Sequence, residues 1–205
     1  MRKLICSALM INCLVLTACA GTEQQIRAYA QSLIQADAAR LTAQVQADHG
    51  DTLECYTLEY AFDGESWTAL VAEPDILAGI TVRIEEGGTS LAYEGVMLAA
   101  GNVLTKGVTA VGAVPLLWEA LKTGSLDCVW EEGSLLAGSY VADDTTVMTL
   151  WYDASGLPVA AELTEQGISK VSCRFTNVEI DTKDSGHETT DETNLGGNQS
   201  AGSGT

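Results

Sequence analysis

Three pairs of adjacent carboxylates, Glu85-Glu86, Glu131-Glu132 and Asp143-Asp144, have the residue types and spacing for general acid–base work or for holding a calcium ion. Each pair ends an alternating apolar run beside a turn signal, where solvated acids are expected. His49 falls in the turn His49-Gly50-Asp51 and His187 in a polar tail, so neither has a buried partner to orient it as a base. There is no G-x-S-x-G elbow, H-E-x-x-H helix, P-loop or dinucleotide G-x-G-x-x-G, and no C-x-x-C. The reading is therefore no enzyme, no metal and no cofactor. What remains is thiol chemistry, and one of the six cysteines stands apart. Cys19 follows Leu16-Thr17-Ala18 at the end of a run from Leu4 to Ala18 broken only by Ser7, Asn12 and Thr17, with Arg2 and Lys3 ahead of it.

A positive start, a short apolar stretch and small residues at the cut make a secretory leader. The run falls short of the roughly 20 apolar residues that span a bilayer. A leucine, two small residues and a cysteine resemble a bacterial lipobox. That resemblance implies a signal peptide over 1–18, cleavage between Ala18 and Cys19, and lipid of the diacylglycerol and palmitate kind on Cys19. Each buried methylene contributes about 0.8 kcal/mol and one chain holds only marginally, so two or three chains anchor the protein. The expected address is the extracytoplasmic face of the cell membrane, or the outer membrane in an organism with two.

Without Arg2 and Lys3, eight basic residues face 28 acidic ones, a formal balance of −20. Such a surface is repelled by nucleic acid and anionic headgroups, so nucleic-acid binding is excluded and membrane contact falls to the lipid. Beyond the leader stand Cys55, Cys128 and Cys173. Export permits one disulfide plus a free thiol. The favoured reading is three small buried apolar residues, since each sits in a strand-like run.

The elements follow from periodicity. After the spacer 19–22, Ile26, Tyr29, Ala30, Leu33, Ile34 and Ala36 predict a helix over 23–39. Then Leu41, Ala43, Val45 and Ala47 alternate with polar residues, which is a half-buried strand. Strands follow over 52–62, 65–72, 80–85, 89–93 and 96–99, divided by signals such as Asp63-Gly64 and Gly87-Gly88. Ala113–Lys122 reads as the second helix, with Pro115 in its first turn and Gly124 as its stop. Strands resume over 126–131, 134–140, 145–152, 157–163 and 168–180. In the last, Val178 and Ile180 have the opposite parity to Val171, Cys173 and Phe175, so a β-bulge near Thr176-Asn177 is needed. The stretch 181–205 is Gly, Ser, Thr, Asn and acid and reads as a disordered tail. One domain over 23–180 results. It is α+β: a curved antiparallel sheet of about ten strands, a half-open barrel, covered by two helices.

The leading helix running into an alternating strand, the Asp63-Gly64 turn and the segment Leu150-Trp151-Tyr152-Asp153-Ala154-Ser155-Gly156-Leu157-Pro158-Val159 resemble the LolA/LolB-like lipoprotein-carrier superfamily. Mycobacterial lipid-binding lipoproteins and a clostridial germination lipoprotein share that architecture. The resemblance implies a concave apolar sheet face able to accept acyl chains. Trp67, Leu70, Leu117, Trp118, Trp130, Val147 and Trp151 are then candidates to line it, against the alternative that they fill a packed core. Two readings follow: an anchored lipoprotein that binds a lipid or lipidated protein, or an anchored protein-interaction scaffold without a ligand. The oligomeric state is not legible.

Overall fold

The computed structural model describes residues 21–85, 88–101 and 109–182. Within them lie two helices and one eleven-stranded antiparallel sheet, curved and unclosed. Helix α1 covers 21–34. It is followed by β1 (Ala38–Asp48), β2 (Leu53–Phe62), β3 (Trp67–Glu73), β4 (Thr81–Glu85), β5 (Gly88–Tyr93) and β6 (Val96–Gly101). Helix α2 (Ala113–Thr123) separates these from β7 (Ser125–Glu132), β8 (Leu135–Val141), β9 (Thr146–Tyr152), β10 (Pro158–Glu165) and β11 (Ile168–Asp181). The spatial order is β6-β5-β4-β3-β2-β1-β11-β10-β9-β8-β7. Two meanders are thus joined by β1 and β11, and the sheet ends at β6 and β7. Because every neighbouring pair is antiparallel, the turns 49–52, 74–80, 94–95, 142–145 and 166–167 share one rim.

Strict alternation drives the centre. Ala39, Leu41, Ala43, Val45 and Ala47 are buried along β1 while their neighbours face outward. The expected bulge is present: Arg40 pairs Glu179 but Thr42 pairs Thr176, and Asn177 takes φ 52°. Both Thr176 and Asn177 point outward, which returns Val178 and Ile180 to the core side. Three hairpin turns are built alike, with an aspartate accepting from backbone amides two or three residues on. Asp63 accepts from Glu65 and Ser66, Asp143 from Thr145 and Thr146, and Asp153 from Ser155.

Helix α1 ends at residue 34, five residues before the expected boundary. Ala38 and Ala39 are good helix formers, yet Ala38 pairs with Asp181 and Ala39 with Ile180 and Phe62, so ladder pairing overrides local propensity. Ile26, Ala30 and Leu33 form the buried face of α1. Two glycines make room for it, Gly138 in β8 and Gly156 in the β9–β10 turn. A Cβ at Gly138 would lie 2.9 Å from Ile26 Cγ2, and one at Gly156 only 2.4 Å from the Tyr29 ring. Gly124 does stop α2, though not through a left-handed turn. Its φ is −76°, and a side chain there would strike the carbonyl oxygens of Ala120 (2.5 Å) and Val141 (2.8 Å).

Candidate functional site

The apolar half of the concave face carries a pocket of 380 Å³ at the rim of the 49–52 and 74–80 turns. Its floor is Tyr56, Val71, Val82 and Leu91 from four successive strands, β2 to β5. Register places these on one face, since Val82 pairs with Leu91 and Ala69, and Val71 lies two residues from Ala69. Leu77 and Ile80 close one side, and Thr109, Ala110 and Val111 lie over the top. At the mouth His49 Nε2 stands 3.6 Å from Glu54 Oε2. Glu54 also accepts from Tyr56 Oη, and that hydrogen bond, with partial burial, pushes the phenol up to about 12.

One side chain holds the covering segment down. Tyr60 Oη lies 3.0 Å from the carbonyl oxygens of both Ala110 and Val111, fifty residues away in sequence. Its ring is 2% exposed, and burial keeps the hydroxyl protonated far into the alkaline range. It is therefore available as a donor. Lines of apolar contact and one buried hydrogen bond thus form the roof of the pocket.

A second cleft, of 530 Å³, separates α2 from the opposite ends of β2–β4. Phe62, Trp67, Ile84, Leu116 and Trp118 line it, with Glu65, Glu85, Glu119 and Lys122 around them. Trp67 meets Trp118 edge to face at 5.1 Å and stacks on Phe62 at 5.0 Å. Lys122 Nζ sits 5.9 Å over the Phe62 ring. Among the described residues, Trp118 Nε1 is the buried side-chain polar atom with no hydrogen-bond partner.

The seven residues expected to share a cavity are divided by the sheet. Trp67, Leu117 and Trp118 are buried together on the concave side. Leu70, Trp130, Val147 and Trp151 lie on the convex side, because their neighbours Ala69, Val71, Val129, Met148, Leu150 and Tyr152 take the inward positions. There Trp130 and Trp151 meet edge to face at 6.2 Å, over the fully buried Ala137 that pairs with both. Trp151 Nε1 donates to Glu132 at 2.8 Å. Leu70 instead borders a 390 Å³ hollow beside the bulge, with Thr68, Glu59 and Asn177. None of the seven lines the apolar pocket. Part of its lining, Ile80 and Val82, was readable from the alternation at the start of β4, but its roof comes from residues with no strand or helix pattern.

One member of each carboxylate pair is taken up by structural bonding. Glu85 binds Arg83, Glu132 holds Trp151, and Asp143 caps its turn, its carboxyl held below the usual range by the amides and hydroxyls of Thr145 and Thr146. Glu86 lies outside the described residues. No group of three or more His, Cys, Asp and Glu is placed to hold a metal among the described residues. Of the three cysteines expected to be buried, only Cys173 is; Cys55 and Cys128 are exposed, and all three are free. The reason is parity. Cys128, Ser139, Thr149, Glu162, Ser172, Gln46 and Cys55 form one row of paired residues on the convex face. Six strand spacings of about 4.8 Å separate its ends, beyond disulfide reach. Ala18, Cys19 and the tail 183–205 lie outside the described residues; among the described residues no helix is long and apolar enough to cross a membrane.

The arrangement is a half-open barrel: one curved, unclosed antiparallel sheet with two helices. No protein-family model matches the chain, and no curated protein matches it. Among solved structures it is similar to a LolA superfamily protein from Nitrosomonas europaea, at 11% identity and a TM-score of 0.46, covering 77% of this chain and 93% of that one. It is also similar to the lipoprotein LppX of Mycobacterium tuberculosis, at 11% identity and a TM-score of 0.43, over 79% and 99% of the two chains. A structure of the CwlD amidase from Clostridioides difficile with the GerS lipoprotein matches at 11% identity and a TM-score of 0.43, over 70% and 86%. These likenesses concern the arrangement of the backbone, and no residue role is taken from them.

Proposed function

We propose that this chain is an envelope lipoprotein, tethered through lipid on Cys19, that binds the acyl part of a lipid or lipidated protein in the pocket beneath residues 109–111. The observation that carries the reading is that pocket: 380 Å³, within the range of small-molecule sites, and floored and walled mainly by aliphatic side chains. An acyl chain gains about 0.8 kcal/mol for each methylene buried there, and the apolar floor asks nothing else of it. The polar mouth at His49 and Glu54 leaves a headgroup in water. Binding rather than catalysis is the role this reading assigns, because the pocket is lined mainly by aliphatic side chains and its polar residues, His49 and Glu54, stand at the mouth.

Native mass spectrometry of gently purified protein, with titration of a fluorescent fatty acid, tests the pocket. Bound lipid or saturable fatty-acid binding is expected, lost in Leu91→Lys with the fold intact by circular dichroism. An empty protein without fatty-acid affinity, or a Leu91→Lys variant that binds as before, overturns it. Labelling with radioactive palmitate tests the tether separately: the label is expected on the parent and absent from Cys19→Ala.

A further inference from the structure

The two ends of the sheet are finished differently. Edge strand β7 carries Asp127, Glu131 and Glu132, all exposed, the usual protection against stray pairing. Edge strand β6 carries no charge, and Val96, Met97 and Leu98 are 60%, 71% and 63% exposed. Its register with β5 puts Val96 and Leu98 on the concave face and Met97 on the convex one. Apolar groups are therefore open on both faces of one uncharged edge. A single flat face would be covered by stacking, whereas an edge open on both sides suits an added strand.

Charge says what kind of strand. Glu94 forms the β5–β6 turn, Glu73 ends β3 and Asp75 lies in the neighbouring 74–80 turn, where a Cβ built on Gly79 would lie 3.7 Å from the Tyr93 ring. The basic side chains among the described residues are Arg27, Arg40, Arg83, Lys122, Lys170 and Arg174, and none is on β5, β6 or these turns. An acidic bilayer and a second copy of this acidic chain are both disfavoured by that fringe. We infer that β6 is a docking edge for an extended segment of a partner protein, apolar along its length and flanked by lysine or arginine, which adds to the sheet as a twelfth strand. This surface is independent of whether the pocket holds a lipid.

The test places a photo-crosslinking amino acid at Met97, and at Glu131 on β7 as a control, in the full chain expressed in its own cells. The expected result is a crosslink from position 97 alone, to a peptide of another protein that sequencing shows to be basic and apolar. Leu98→Lys should abolish that crosslink, and Glu94→Lys should weaken binding of the identified segment roughly two- to fivefold, as for an exposed charge. Glu131→Lys should leave it unchanged. A crosslink to a second copy of the chain, to lipid, equally from both edges, or from neither overturns the inference. So does an identified segment that is acidic, or whose binding rises in Glu94→Lys.

Discussion

Replacing Tyr60 with phenylalanine isolates one hydrogen bond that joins the sheet to the roof of the pocket. The ring stays, so its edge-to-face contact with Trp67 at 6.3 Å and its burial are kept, and no cavity opens. Only the hydroxyl goes, 3.0 Å from the carbonyl oxygens of Ala110 and Val111. A buried hydrogen bond contributes about 1 kcal/mol net, and a buried acceptor left without a donor costs about 1–3 kcal/mol. The expected loss is about 2 kcal/mol, which lowers the melting temperature by about 4 to 8 °C in a domain of this size. The same substitution frees the 109–111 segment from the sheet, so fatty-acid affinity should fall with stability. Tyr140→Phe is the control: it breaks the 3.1 Å hydroxyl pair with Tyr152 under α1, away from the pocket, and should cost stability while leaving affinity unchanged. Urea unfolding and fluorescent fatty-acid titration on both variants decide the matter. A Tyr60→Phe protein within about 0.5 kcal/mol of the parent refutes the tether. Equal losses of affinity in both variants would mean that the effect is global softening and that the roof plays no special part.

Ellman's reagent should modify Cys55 and Cys128 promptly in the folded protein and Cys173 only on unfolding, because burial both hides that thiol and pushes it up to about 12. Gly156→Ala should lower stability by about 2 kcal/mol or more in urea, since φ is +86° and the new methyl would lie 2.4 Å from Tyr29, which packs on Tyr152. Stability should hold into mildly alkaline solution and then fall as pH rises between about 9 and 12. The unfolded thiol and phenols ionise from about 9 to 10, whereas burial keeps Cys173, Tyr60, Tyr140 and Tyr152 protonated in the fold, and these are acids whose folded values are raised. Urea midpoints against pH check this, and Tyr152→Phe should make the alkaline fall shallower; an unchanged slope would refute the assignment.

Much of the framework was legible because a strand's side chains alternate with a period that needs no partner to be seen. The run Leu41 to Asp48, the aspartate turns at Asp63, Asp143 and Asp153, and the parity break that required a bulge before Val178 all appear in the residues themselves. Helix α1 was read too long because Ala36 to Ala39 favour a helix locally, and only the arrival of β11 and β2 on either side turns Ala38 and Ala39 into strand. The candidate cavity was gathered by residue type. Tryptophan at 67 and tryptophan at 151 look equally apolar, but one residue of register sends them to opposite faces.

Alternation by itself therefore determined that this chain makes a long antiparallel sheet with one face apolar, and the order of its leader residues set the expectation of a lipid tether. Tertiary structure decided which aromatic residues face inward, which cysteines meet water, and that one hollow lies under residues 109–111 while Trp67 and Trp118 border another beside α2. The physical reason is that periodicity records how often a side chain changes face, whereas the identity of the inner face, and what is tied across it, depends on contacts such as Tyr60 to Ala110 that close over fifty residues of chain.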